Sequence, residues 1–304
     1  MLYSIRIRPL FLTKTNMSNI EEHTFGTETV TLNYAEIPST GVPLVLLHGG
    51  SARWQAFENI ITDLSEYHLY LPDLRGHGKS GRVFGHYRLQ DYTNDIINFI
   101  KDCVGQPVHL FGHSLGGMIA LLVAAQYPEG IRAVAVGDSP LSSQYWQKVM
   151  FTQTNDRVRA WQKISGGHIP IEELVEILKD SPTEEPGNPN PVSMRSVYGE
   201  DSAVFQWLAE NLYHQDPDML SAILDRFDDT ITGYEMELVF PKIKCPTLLL
   251  QADPTTGGLM TDEEVQQALP LLFKPTHIKL SKLSHTLHNE RKEPVTAALK
   301  QFFK

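Results

Sequence analysis

The stretch HLFGHSLGGMIA, residues 109–120, joins an apolar run to a helix-forming run through three glycines and one serine. Gly112, Gly116 and Gly117 each weaken a strand or helix by roughly 0.5–1 kcal/mol. Their presence there implies a crowded turn. Gly112-His113-Ser114-Leu115-Gly116 matches G-x-S-x-G between a predicted strand and a predicted helix. Glycines flank the serine because side chains at those positions collide in so sharp a turn. Ser114 Oγ is then expected at the carboxyl end of a sheet, beside a helix N-terminus that favours an anion. The N–H of Leu115 can face a developing oxyanion. A bare match also occurs in incidental glycine-rich turns. The strand–turn–helix setting singles out Ser114 as a candidate nucleophile.

Working outward, the same strand form recurs. GVPLVLLHGG (41–50), EYHLYLPDLRGHG (66–78), IRAVAVGD (131–138), CPTLLLQAD (245–253) and THIKLSKLSH (276–285) are short apolar runs closed by turns. Runs of this kind suit strands covered on both faces, hence a parallel sheet. Helical spacing appears between them, over 53–65, 89–104 and 115–127, with Pro128 and Gly130 stopping the last. Strand–helix–strand order predicts an α/β fold with a right-handed, parallel sheet. The pattern breaks near residue 139 and resumes near 241. Residues 21–138 and 241–304 therefore read as one core, and 139–240 as an inserted helical cap.

The bulk numbers narrow the class. The chain has 304 residues, 41% hydrophobic and 20% charged, with a net charge of −10. An acidic balance argues against a nucleic-acid partner. No apolar run reaches the length of a membrane span. Cys103 and Cys245 form neither a disulfide framework nor a metal spacing, and both read as buried thiols of a reducing, cytoplasmic compartment. Residues 1–20 carry Arg6, Arg8 and Lys14 near the start and read as a loosely attached leader.

Four motifs occur in order: LLHGG, LPDLRGHGKSG, GHSLGG and LSHTLHNERKEPV. As a set they resemble the α/β-hydrolase family. The resemblance implies an eight-stranded, mostly parallel sheet flanked by helices, a helical cap over the site and no cofactor. It also implies that Gly50, after His48-Gly49, supplies a second oxyanion N–H beside Leu115. Asp73, Arg75 and His77 are expected to brace their loop, and His48 its own.

A serine hydroxyl needs a general base that titrates near neutrality, which means histidine. His285 follows the last strand-like run, where a sheet end would face Ser114. The acid that orients the imidazole is open between two residues. The family's usual slot falls on Thr255, which cannot carry charge. Asp138 ends the strand after Ser114's helix, where related dehalogenases place their acid. Asp253 ends the next strand and is the alternative. Ser51, Trp54, His113, Tyr145, Trp146 and His288 are the expected pocket residues. The chemistry expected is acyl transfer to water on a small, largely apolar ester. Hydrolysis of a carbon–carbon bond beside a ketone is one alternative, and a small-ligand receptor that does not turn over is another. Oligomeric state is not legible.

Overall fold

The computed structural model describes residues 20–151, 155–183 and 190–304. Apart from residue 20, the expected leader lies outside the described residues. The sheet is built from β1 (Glu21–Gly26), β2 (Thr31–Ile37), β3 (Pro43–Leu47), β4 (His68–Pro72), β5 (Val108–His113), β6 (Ile131–Gly137), β9 (Thr247–Ala252) and β10 (Pro275–Leu280). A two-residue ladder, β7 (Pro182–Thr183) with β8 (Val192–Ser193), stands apart from it. The order across the main sheet is β1-β2-β4-β3-β5-β6-β9-β10. β2 runs antiparallel to β1 and β4, and every other pairing is parallel.

Strands β3, β5 and β9 are buried at every position, which is why their sequences are apolar rather than alternating. Helices α1 (Glu58–Ile61), α2 (Leu89–Asn98) and α3 (Leu115–Gln126) connect the first parallel strands. The helix expected over 53–65 is a chain of short pieces: a 3₁₀ turn at Trp54–Phe57, then α1, then a second 3₁₀ turn at Thr62–Leu64. The β-branched run Ile60-Ile61-Thr62 is poor material for a longer α-helix. The helix expected over 89–104 is α2 followed by a π-helical turn, closed by Gly105 at φ 70°. Helix α3 is buried from Leu115 to Ala124, in keeping with its almost wholly apolar sequence.

Between β6 and β9 the chain runs through α4 (Ser143–Val149), α5 (Asn155–Ile164), α6 (Ile171–Asp180), α7 (Met194–Tyr198), α8 (Ala203–His214), α9 (Pro217–Asp225), α10 (Phe227–Ile231) and α11 (Met236–Val239). The fold then closes with α12 (Asp262–Ala268), α13 (Leu287–Glu290) and α14 (Lys292–Phe302). One apolar cluster fills the sheet face under α2 and α3 and continues into α4 and α9. A second fills the other face under α1 and α14. A third lies within the insertion, between α6, α7 and α8. Cys245 is buried, whereas Cys103 is only partly so, contrary to expectation. Among the described residues no helix is long and apolar enough to cross a membrane.

Candidate active site

Ser114 follows β5 directly and starts α3, with φ 54° and ψ −120°. Its neighbours explain the glycines. A methyl group on Gly112 would lie 2.1 Å from the Gly116 carbonyl oxygen, and one on Gly116 would lie 2.2 Å from that of Leu47. Only backbone can approach there, so the turn closes and lifts Ser114 above the strand ends. The turn is held by Ser114 N–H donating to Gly137 O at 3.0 Å and by Ser139 Oγ donating to Ser114 O at 2.7 Å.

Two remote segments meet this serine. His285 Nε2 lies 3.0 Å from Ser114 Oγ, and His285 Nδ1 lies 2.8 Å from Asp138 Oδ2. Asp138 is fully buried, so its carboxylate oxygens need hydrogen-bond partners within the protein. Three backbone N–H groups meet it: Leu259 donates to Oδ2 at 2.8 Å, and Met260 and Ala252 donate to Oδ1 at 3.1 Å each. With the carboxylate accepting, Nδ1 of His285 carries the proton and Nε2 is left to accept from Ser114. Asp253, the alternative acid, does not meet His285. Its carboxylate accepts from Thr255 N and Oγ1 and from Lys282 N. Those hydrogen bonds, from Lys282 first and then Thr255, hold its pKa below the ordinary value.

Gly50 and Leu115 flank the space above Ser114. Neither N–H makes a hydrogen bond among the described residues. A methyl on Gly50 would meet nothing nearer than Leu115 Cδ2, at 4.0 Å. The loop that carries Gly50 is pinned on both sides. His48 Nδ1 donates to Gly49 O, its Nε2 accepts from Leu74 N, and Trp54 N–H donates to Asp73 Oδ1. Arg53 adds a third pin by donating to Asn211 Oδ1 at 2.9 Å and pairing with Glu210, both on α8. Asp73 and the buried Arg75–Asp95 ion pair lock the following loop.

A cavity of about 560 Å³ opens onto Ser114. Of the expected pocket residues, Ser51, His113, Trp146 and His288 line it. Trp54 and Tyr145 do not. Trp54 is 4% exposed, packs in the cluster under α1, and its indole donates to Glu22. Tyr145 sits on α4 beside Trp146, and it is Trp146 that reaches the cavity. Successive helical positions point about 100° apart, so both could not face inward. His113 Nε2–H donates to His285 O at 2.8 Å and so steadies the backbone that presents the imidazole. Burial, then the neighbouring His285 and His288 rings, push the His113 pKa well down. His288 stacks on Phe57, and burial pushes its pKa to about 3. The N–H groups of Leu259 and Met260, and the contribution of Arg53, carried no sequence signal. They depend on loops folding back from β9 and on α8 docking from outside the core.

A family model described as alpha/beta hydrolase fold matches residues 42–173. Lipase 1 of Psychrobacter immobilis is 32% identical over 101 residues, covering 33% of this chain and 32% of the lipase. A 2-(acetamidomethylene)succinate hydrolase of Mesorhizobium japonicum is 33% identical over 110 residues, covering 36% of this chain and 39% of that protein. Each alignment therefore spans well under half the length of these curated relatives. The solved structure of a thermophilic esterase from Thermogutta terrifontis is similar with a TM-score of 0.66 at 18% identity, covering 93% of this chain and 98% of that one. At such identity the likeness speaks for the fold alone. Taken with the sheet order and the turn at Ser114, these matches show that the chain has the alpha/beta hydrolase fold.

Proposed function

We propose that the protein is a serine hydrolase that cleaves a largely apolar carboxylic ester. The observation that carries this reading is the unbroken Ser114–His285–Asp138 hydrogen-bond chain, at 3.0 and 2.8 Å. In the proposed cycle Ser114 Oγ attacks the ester carbonyl carbon as His285 Nε2 takes its proton. Asp138 steadies the imidazolium without being protonated. The N–H groups of Gly50 and Leu115 receive the negative oxygen, each worth about 3–4 kcal/mol of barrier. The tetrahedral adduct collapses, and His285 returns the proton to the departing alcohol. Water then attacks the acyl group, passes a proton to His285, and Ser114 leaves as the hydroxyl. The helices between β6 and β9 act as the cap that walls the substrate.

The test is pre-steady-state hydrolysis of a chromogenic ester. The wild type should release a burst of alcohol and then turn over. Ser114→Ala should lower kcat by about a millionfold. Tight binding of the ester with no burst in the wild type would instead identify a receptor on this fold.

A further inference from the structure

The chain contains eight methionines and four tryptophans. Met118, Met150, Met194 and Met219 all line the cavity above Ser114. So do Trp146, Trp161 and Trp207. Half of one residue type and three quarters of the other thus converge on a single space. The cavity does not end near Ser114. Its walls include residues of every helix from α4 to α9, among them Ile177 on α6 and Met194 on α7, the latter a member of the separate apolar cluster of the insertion. Charge is scarce along this path. Arg157 is the one lysine or arginine among the described lining residues. Its guanidinium lies 5.5 Å from the Trp161 ring centroid, on α5.

We infer that the site takes an uncharged ester with a long apolar arm, and that the arm lies along the wall from α4 to α9. This inference rests on the hydrolytic reading above and replaces the small substrate that the sequence led us to expect. Methionines suit the task because an unbranched thioether adapts to an irregular apolar chain, and indoles give flat, polarizable walls. Each methylene that leaves water is worth roughly fourfold in affinity. A carboxylate on the arm would leave water for a wall whose one lysine or arginine among the described lining residues, Arg157, already sits over the Trp161 ring, and its burial would cancel much of that gain.

The test compares p-nitrophenyl acetate, butyrate and octanoate with the mono-p-nitrophenyl ester of suberic acid, which matches octanoate in length but ends in a carboxylate. KM should fall two- to fourfold per methylene, or about 60-fold to 4,000-fold over the six methylenes from acetate to octanoate. The suberate ester should lose at least about tenfold of that. Ile177→Trp, which narrows the wall at α6, should raise KM for octanoate about tenfold more than KM for acetate. In parallel, methyl octanoate binding to Ser114→Ala is read from tryptophan emission. A KM independent of length, a suberate ester as good as octanoate, or no binding of methyl octanoate would each overturn the inference. Absence of turnover in the wild type, with length-dependent binding intact in both proteins, would overturn the hydrolytic reading and sustain the inference about the ligand.

Discussion

Strands β6 and β9 lie side by side, and each ends in an aspartate, yet the two ends are built for different tasks. Asp138, after β6, is wholly buried at φ 42°, and its carboxylate is surrounded by three backbone N–H groups and one imidazole. Asp253, after β9, is partly exposed and spends its oxygens on a local turn and on Lys282 N. In the mechanism proposed above, a carboxylate at a strand end can act as the orienter where backbone N–H groups occupy its other lone pairs and leave one for an imidazole. The β9 end contributes to the other one: Ala252, Leu259 and Met260, which donate to Asp138, all belong to the strand and loop around Asp253.

The largest effect should separate the two residues outright. Asp138→Asn should lower kcat/KM by about 10³–10⁴, because an amide no longer holds the productive tautomer of His285. Asp253→Asn should stay within about threefold of the wild type. Equal losses in steady-state assays would break the contrast. A smaller effect sharpens it. A methyl at Gly258 would come 2.9 Å from the Ala252 carbonyl carbon, so Gly258→Ala must shift the loop that presents Leu259 and Met260 to Asp138. We expect about a tenfold loss in kcat with little change in KM.

Acid should separate the buried histidines from Asp253 in stability as well. Burial pushes His48 down to about 4 and His77 and His288 down to about 3. The unfolded chain therefore binds protons that the folded one refuses as pH falls below the ordinary 6.5. Stability should decline from there to about pH 3, seen as a falling Tm. Asp253 works in the same direction at lower pH. Its depressed pKa gives stability present above the ordinary 3.8 and lost as pH falls through the folded value. Asp253→Asn should flatten the Tm profile below 3.8 only. Flattening between 6.5 and 4 instead would contradict this division.

Much of the scaffold was legible because its signals are local. Glycines at 112, 116 and 117, and apolar runs before each turn, report crowding and two-sided burial that the neighbouring residues alone enforce. Asp138 and Asp253 could be named as the two candidates because both close apolar strands. Choosing between them required the loop at 257–260, whose backbone donors have no residue signature. The cavity wall was less legible for the same reason. Trp54 and Tyr145 are aromatic and close in sequence to the site, but helix and turn geometry sends them elsewhere. Trp161, Met194 and Trp207 reach the cavity only through the docking of α5, α7 and α8. The antiparallel β1 and β2 lie ahead of the first motif: β1 is an edge strand without a buried position, and the buried run of β2, Leu32–Ala35, is interrupted in sequence by the polar Asn33.

The account rests on Ser114 being activated through His285 by Asp138. Intact-mass kinetics with an alkyl fluorophosphonate test this most directly. The account expects a single adduct on Ser114, formed at the wild-type rate in Asp253→Asn and slower by about 10³ or more in Asp138→Asn. An adduct on another residue, or slowing confined to Asp253→Asn, would contradict it.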